Sequence, residues 1–545
     1  MPVITFGYED LLSLFGRDMD IKEFAEKIPM IGVSVEKIEG NEVSIEVFPN
    51  RPDLLSVEGM ARAMRAFFGI ESGLKRYEVE PPEISLTVDK SVRDVRPYVV
   101  AGVVKNVEMT DELIASLMEM QEKLHLSVGK GRKKMAIGVH DFDKVTPPFV
   151  YRAVKPDEIS FVPLAMEERM NLAEILARHE KGIAYAHILN NFEKYPVILD
   201  RNGEVLSFPP IINGQLTALN EQTKNIFIDV TGTDRTAITT ALTIVATALA
   251  ERGGILQQVE VVDDEPVATP DLSPQHNELH IPYVQKLLHL QDGESICEAL
   301  QKMGHHTIVT GDTIMVESPV WRPDILHPVD LIEDIAIGYG YEVFEEELPH
   351  AMTFGSSLHP DRLHQIMIGL GFNEVVTLSL SNPEKEFEKM GIDAGETVEL
   401  SNPISVEHTI VKRSLLPSLL EILSKNRHND LPQRIYEIGD VVIFEKGNVL
   451  QKTMLSGMKI DAKASFTECK SFVEALVKNL GFTMDVREEH HPSFIEGRCA
   501  SVLINGTKAG YFGELTPQVI CNFDLEHPVI AFEIDLSALF SPHEK

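Results

Sequence analysis

The chain has 545 residues, 43 % hydrophobic and 25 % charged, which is the composition of an ordinary globular protein of several domains. Its 50 Lys and Arg against 84 Asp and Glu leave a net charge of −34, which disfavours an independent nucleic-acid binder, because phosphate affinity comes from neutralising charge with Lys and Arg. Four scattered cysteines without a CxxC argue against a disulfide framework or zinc site, and the longest apolar run, "AITTALTIVATALA", is too short and too rich in Thr to span a membrane.

Three stretches rich in Pro, acidic and small residues, 77–84, 263–275 and 345–360, divide the chain into pieces expected at 1–80, 85–262, 271–345 and 350–545. The first alternates short strands such as "NEVSIEVF" with a helix, "LLSVEGMARAMRAFFGI", for which Ser56 is a plausible N-cap after the turn "FPNRPD". In the second, "RPYVVAGVVKNV", "KMAIGVHDF", "PVILDR" and "NIFIDVTG" have strand character. Its helices are "LIASLMEMQEKLHLSV" and "DRTAITTALTIVATALAERGG", the latter capped by Thr233 or Asp234 and stopped at Gly253-Gly254. The third piece is helix-rich with one hairpin turned at Gly311-Asp312, and the last mixes helices near 359–370, 413–426 and 465–480 with strands. The fold class is therefore α+β and multidomain, since strands and helices do not alternate regularly enough for one doubly wound sheet. No internal repeat is evident. No opening stretch has the basic-then-apolar pattern of a signal peptide, so a cytoplasmic protein is expected.

The stretch "WRPDILHPVDLIEDIAIGYGYE" (321–342) concentrates acid. Asp330, Glu333 and Asp334 stand at i, i+3 and i+4 on one helical face, with Asp324 just upstream. Like charges at this spacing repel. A solvated surface face is the plain explanation, but Leu331, Ile332, Ile335, Ala336 and Ile337 should bury much of the same helix. Grouped carboxylates on a helix and a loop suit Mg²⁺, a hard cation that takes a few such ligands and keeps several waters.

Two further segments could carry chemistry. "LSFPPIIN" sets Leu206, Ser207 and Asn213 around a stiff Pro209-Pro210 turn, and "DVTGTD" ends a strand with Asp229, Thr231, Thr233 and Asp234 before a helix N-terminus, where backbone N–H groups favour an anion. Ser, Thr and Asp in such places are also ordinary caps. "GVHDFD" offers His140 and Asp141 as a base pair, but a lone His at a strand end is more often structural, and the two are left out of the candidate site. The basic cluster "GKGRKKM", with Lys130, Arg132, Lys133 and Lys134, has the character of a solvated loop.

These residues carry a resemblance. "RPDILHPVDLIEDIAIGYGYE" resembles the B5 module of the β subunits of phenylalanyl-tRNA synthetases, in which the carboxylates corresponding to Asp324, Asp330, Glu333 and Asp334 are assigned as Mg²⁺ ligands. "VFPNRPDLLSVEGMARAMRAFFGI" is similar to the N-terminal module of that family. "VLSFPPIIN" and "FIDVTGTD" are similar to the B3/B4 editing module of its archaeal and eukaryotic-type members, and "NPISVEHTIVKRSLLPSLLEILSKNRH" with "QRIYEIGDVV" to the C-terminal module. The order of the motifs covers essentially the whole chain. The resemblance implies a B3/B4 editing module, a helix-rich B5 module and a C-terminal, non-catalytic antiparallel-sheet domain of class II synthetase type.

It also implies a function: supporting the attachment of phenylalanine to tRNA-Phe by an α subunit, which would hold the ATP and phenylalanine, in an α2β2 assembly, and hydrolysing tyrosine wrongly attached to tRNA-Phe. Ser207, Asn213, Asp229 and Thr231 are the expected editing pocket. The C-terminal piece departs from an active class II site, because "RIYEIG" places Arg434 and Glu437 at the wrong spacing for the phosphate-binding R-x-E motif and no glycine-rich Arg segment follows. Without donors on the transferring phosphoryl, adenylate formation lacks its main stabilisation. The alternatives are a free-standing trans-editing hydrolase, which would not need 350–545, and a non-enzymatic RNA-binding scaffold, which the −34 charge disfavours. None of these readings involves a membrane.

Overall fold

The structure, a computed structural model, describes residues 2–290, 292–346, 348, 361–445 and 447–538, so the linker expected at 345–360 lies largely outside the described residues. The chain forms two compact units, Met1–Leu348 and Pro349–Lys545, so that the first three sequence pieces pack as one.

The first unit opens with a three-stranded antiparallel sheet in which Glu42–Val47 lies between Val3–Gly7 and Val33–Glu39. Alternation along "EVSIEV" turns Val43, Ile45 and Val47 inward. Helix Val57–Phe67 begins where Ser56 Oγ accepts from the Gly59 N–H, as its sequence position suggests. Met60 and Met64 of this helix share one hydrophobic core with Leu117 of helix Asp111–Leu126 and with Leu242 and Leu249 of helix Arg235–Glu251. That continuous core joins the first two sequence pieces.

The two longer helices cover one face of a ten-stranded sheet. From one edge its order is Ile212–Asn213, Val205–Phe208, Tyr195–Leu199, Phe149–Val154, Val79–Val88, Ile255–Val262, Tyr98–Lys105, Ile226–Gly232 and Met135–Asp141, with Pro266–Thr269 hung on Ile255–Val262. Strand Ile226–Gly232 is buried throughout: Ile226, Ile228 and Val230 face the helices, while Phe227 joins a second core with Phe149, Tyr151 and Leu206. The two edge strands of the sheet approach each other, and Asn213 Nδ2 donates to the Val139 carbonyl at 3.3 Å. The sheet is thus an open barrel with a seam.

The rest of the first unit is a three-stranded sheet of Gln275–His280, Thr313–Ser318 and His306–Thr310, with helices Ile281–Leu288, Gly293–Lys302 and Pro328–Tyr339 packed on it. His327 caps the last helix in a reciprocal capping box with Asp330.

The second unit is built on a seven-stranded sheet in the order Asn373–Glu374, Gln433–Glu445, Asn448–Ile460, Val529–Asp535, Thr507–Leu515, Phe494–Ile504 and Met484–Glu488, antiparallel except for its first pair. Helix Phe466–Asn479 is in one of its cores and helix Leu416–Lys425 in another. Among the described residues no helix is long and apolar enough to cross a membrane.

Candidate functional site: a pocket in the barrel seam

The seam encloses a pocket of about 360 Å³. One wall is the free edge of strand Met135–Asp141, another the turn from Ser207 to Asn213, and a third a stripe of helix Asp111–Leu126 comprising Ile114, Met118, Gln121, Glu122 and His125. Three of the four expected residues, Ser207, Asn213 and Asp229, line it together. Thr231 stands on the same strand face as Asp229 but is not among the lining residues. Its Oγ1 accepts from Arg96 Nε at 2.9 Å and its carbonyl from Arg96 Nη2 at 2.7 Å. Arg96 is itself 2 % exposed, and burial pushes its guanidinium down to about 10. Thr233 and Asp234 act as the turn and cap residues that the sequence also allowed, Asp234 capping at Ala237 and pairing with Lys134.

The pocket has a buried end and an open one. At the buried end Asp229 Oδ1 lies 2.7 Å from His140 Nε2 and 3.4 Å from Ser207 Oγ, and all three side chains are at most 2 % exposed. His140 was set aside on sequence grounds, and the structure places it directly behind Asp229, its Nδ1 2.8 Å from Thr217 Oγ1. Asp141 does not pair with it; neighbouring strand residues point to opposite faces, and Asp141 bonds Thr223 instead. Gly138, opposite Asp229 in the sheet register, makes the contact possible: a Cβ there would lie 2.4 Å from Asp229 Oδ1.

At the open end Arg132 Nη1 donates to the Pro210 and Ile211 carbonyls at 3.2 and 2.9 Å, and Nη2 to Glu122 at 2.6 Å. Lys181 approaches Glu122 to 3.6 Å. Arg132 is therefore a buried wall residue rather than part of a solvated loop, although Lys130 and Lys133 beside it are exposed. His125 Nε2 accepts from the Ile137 N–H at 2.8 Å, which fixes the proton on Nδ1 in the neutral ring. Burial, then the Arg132, Arg96 and Lys181 charges, hold its pKa well below the usual value. The His125 Nδ1 and Arg132 Nε donors have no hydrogen-bond partner among the described residues, Glu122 standing 4.0 Å from His125 Nδ1. The spacing 114, 118, 121, 122, 125 is a helical stripe that turns polar at its C-terminal end, the one signal from which these residues could have been found.

The acidic stretch resolves differently. Asp324, Asp330, Glu333 and Asp334 all line one cleft of about 660 Å³ within the first unit. Two of them are already neutralised. Arg322 Nε and Nη2 hold Asp324 at 2.9 and 2.7 Å, while Nη2 also reaches Asp334 at 2.8 Å. His305 Nε2 takes Asp334 Oδ2 at 2.7 Å. Asp330 accepts from the Leu326 and His327 N–H groups, and Glu333 is exposed. Burial works to raise Asp334, but Arg322 and His305 outweigh it and leave the carboxyl at about 2. Among the described residues no group of three or more His, Cys, Asp or Glu is placed to hold a metal ion. As placed, Asp324 and Asp334 share Arg322 as their cation, while Asp330 and Glu333 line the same cleft.

The β subunit of phenylalanine–tRNA ligase from Archaeoglobus fulgidus is 46 % identical over 554 residues, covering 100 % of both chains. This chain belongs to the phenylalanine–tRNA ligase β-subunit family. The corresponding Methanosarcina barkeri subunit is 44 % identical, covering 99 % of each chain. Family models described as the B3/4 domain, the tRNA synthetase B5 domain and the phenylalanyl tRNA synthetase beta chain CLM domain match residues 97–260, 278–341 and 346–536. A crystal structure of an N-terminal fragment of the phenylalanyl-tRNA synthetase β subunit from Pyrococcus horikoshii superposes with a TM-score of 0.61 at 38 % identity, covering 62 % of this chain and 100 % of that one. The seam pocket lies in the B3/4 match and the acidic helix in the B5 match. In the CLM match, Glu437 is 2 % exposed and held by Lys412 at 3.0 Å and Thr377 at 2.8 Å, and Arg434 bonds the Leu370 carbonyl at 3.2 Å. Both side chains named by the class II comparison are spent on internal contacts.

Proposed function

We propose that the chain is the β subunit of a cytoplasmic phenylalanine–tRNA ligase. It would work with an α subunit that binds ATP and phenylalanine, in an α2β2 assembly, and its seam pocket would hydrolyse tyrosine wrongly attached to tRNA-Phe. The observation that carries the editing reading is the pocket's polarity: a buried carboxylate at one end, apolar walls between, and a basic open end. An apolar synthetic pocket rejects an added hydroxyl by only about a hundredfold, so tyrosine needs a second check. A buried Asp229 supplies it, because a phenol hydroxyl adds a donor to the carboxylate beyond those of His140 and Ser207, whereas a phenyl ring adds none. The ester then lies toward Gln121, Glu122, Arg132 and Asn213, and the tRNA toward Lys181, Lys130 and Lys133.

Ser207 is not positioned as a nucleophile, since its hydroxyl lies 3.4 Å from Asp229 at the buried end of the pocket, away from the open end toward which the ester lies. Hydrolysis would therefore use a positioned water, not a covalent intermediate. The test is hydrolysis of Tyr-tRNA-Phe by this chain, alone and with the α subunit, against Phe-tRNA-Phe. Selective loss of tyrosine supports the reading, and no loss in either state would leave Ser207, Asn213, Asp229 and Thr231 as turn and strand residues.

For the acidic cleft the reading is an internal ion-pair brace. The second reading, Mg²⁺ held by Asp324, Asp330, Glu333 and Asp334, is favoured by their lining one cleft. Thermal unfolding with EDTA and with millimolar Mg²⁺ separates the two.

A further inference from the structure

We propose that His140 is a positioning residue that presents Asp229 to the substrate's phenol hydroxyl, so that the chain Thr217–His140–Asp229 sets the preference for tyrosine over phenylalanine; this rests on the editing reading above. His140 follows Gly138 by two residues on strand Met135–Asp141, so both share the face turned to Asp229. The ring is fully buried, does not line the pocket, and spans 2.8 Å to Thr217 Oγ1 and 2.7 Å to Asp229 Oδ1. It touches the substrate only through Asp229.

The direction of the bonds follows from the donor inventory. An ionised carboxylate only accepts, so Nε2 carries the proton aimed at Asp229 whether Thr217 donates to Nδ1 or to the Gly214 carbonyl 3.2 Å away. His140 and Ser207 both address Oδ1, which leaves Oδ2 of the same carboxylate to accept from a phenol in the pocket. A carboxylate free to rotate would present either oxygen or turn to Ser207 alone. With the ring in place its plane is fixed, and the geometry that rewards a hydroxyl is built before the substrate arrives. Gly138 completes the device, since a Cβ there would lie 2.7 Å from His140 Nε2 as well as 2.4 Å from Asp229 Oδ1.

The competing role is packing. The His140 ring lies 6.2 Å from that of Phe227, which in turn contacts Phe142 and Phe149. His140→Phe keeps an aromatic ring in that cluster and removes both hydrogen bonds. Thr217→Val and Thr217→Ser ask the same question one bond further out.

The experiment uses the full complex with the α subunit, measuring single-turnover hydrolysis of Tyr-tRNA-Phe and Phe-tRNA-Phe, with phenylalanylation as the control for assembly. His140→Phe is expected to lower the Tyr-to-Phe rate ratio at least about tenfold, the scale of one hydrogen bond to a charged group. Thr217→Val lowers it less, and Thr217→Ser restores it. An unchanged ratio, or Tyr and Phe rates falling together, overturns the proposal. A wild-type complex that prefers tyrosine alongside an unaffected His140→Phe variant overturns this proposal alone. A wild-type complex that hydrolyses neither ester overturns the editing reading and this with it. If His140→Phe fails to assemble, the Thr217→Val ratio decides.

Discussion

Replacing Arg322 with Met keeps most of the aliphatic stem and removes the guanidinium that two carboxylates share. Arg322 is 2 % exposed, and its contacts to Asp324 and Asp334 run from 2.7 to 3.1 Å, so that it and the buried Asp334 lie where water cannot compensate, with Asp324 half-buried beside them. Breaking a buried pair by removing one partner costs about 3–5 kcal/mol. Linkage gives a second figure: a carboxyl ordinarily at 3.8 and held at about 2 in Asp334 stores about 2 kcal/mol. Because that folded value is depressed, the contribution is complete above pH 3.8 and fades as pH falls toward 2. His305 adds a signature. Burial keeps its pKa below the usual value, with Arg322 pushing the same way against Asp334. Without Arg322 that downward push is gone and His305 binds a proton more readily beside Asp334, so the stability the wild type loses as pH falls through the ordinary histidine range is lost less in the variant. The variant's deficit should therefore be smaller at pH 5.5 than at pH 8. Calorimetry of the complex, following the transition of the first unit, measures both. A deficit below about 1 kcal/mol, or one independent of pH, would refute the brace, as would wild-type unfolding that shifts with Mg²⁺.

Asp229→Asn should lower Tyr-tRNA-Phe hydrolysis at least about tenfold and leave phenylalanylation by the complex intact; unchanged hydrolysis would remove Asp229 from the site. Arg96→Met strips donors from the Thr231, Arg132 and Lys133 carbonyls, and should destabilise the seam region by about 2–4 kcal/mol, seen as faster hydrogen exchange in strand Ile226–Gly232. In the second unit a Cβ on Gly457 would lie 2.4 Å from the Phe532 ring, so Gly457→Ala should cost about 1–3 kcal/mol, read from that unit's thermal transition.

Local features were legible because they depend on neighbours in sequence. The cap at Ser56, the cap at Asp234, the hairpin turn at Gly311-Asp312 and the strand at Ile226–Gly232 need only a few adjacent residues to be recognised. Ser207, Asn213 and Asp229 were found through a resemblance of motifs, and they do meet in one pocket. What escaped were residues whose role depends on distant partners. His140 looked like any histidine at a strand end until Thr217 and Asp229, 77 and 89 positions away, closed on its two nitrogens. Arg132 sat in a lysine-rich run whose neighbours are exposed, and only the turn at Pro210-Ile211 folding over it makes it a wall. Periodicity shows which face of an element is apolar, but not which polar group on another element it will meet.

The acidic helix shows the same limit within a single motif, and it also exposes a repeat that inspection of the sequence missed. "RPDLLSVEGMARAM" (51–64) and "RPDILHPVDLIEDI" (322–335) have one local solution. Arg51 grips Asp53 at 2.9 and 2.8 Å as Arg322 grips Asp324 at 2.9 and 2.7 Å, and five residues after each Arg a side chain caps a helix. Proline between Arg and Asp restricts the backbone and brings the two side chains to the same side. The two copies then act on each other: Arg322 helps to lower Asp53, and Arg51 helps to lower Asp334, against burial that would raise both. Counting carboxylates from Asp324 onward suggests a missing cation, whereas counting from Arg322 shows that the motif carries its own. A carboxylate cluster is therefore weighed for a metal only after the cations in its own turn have been placed, and here each arginine already pairs with the aspartate of its own turn.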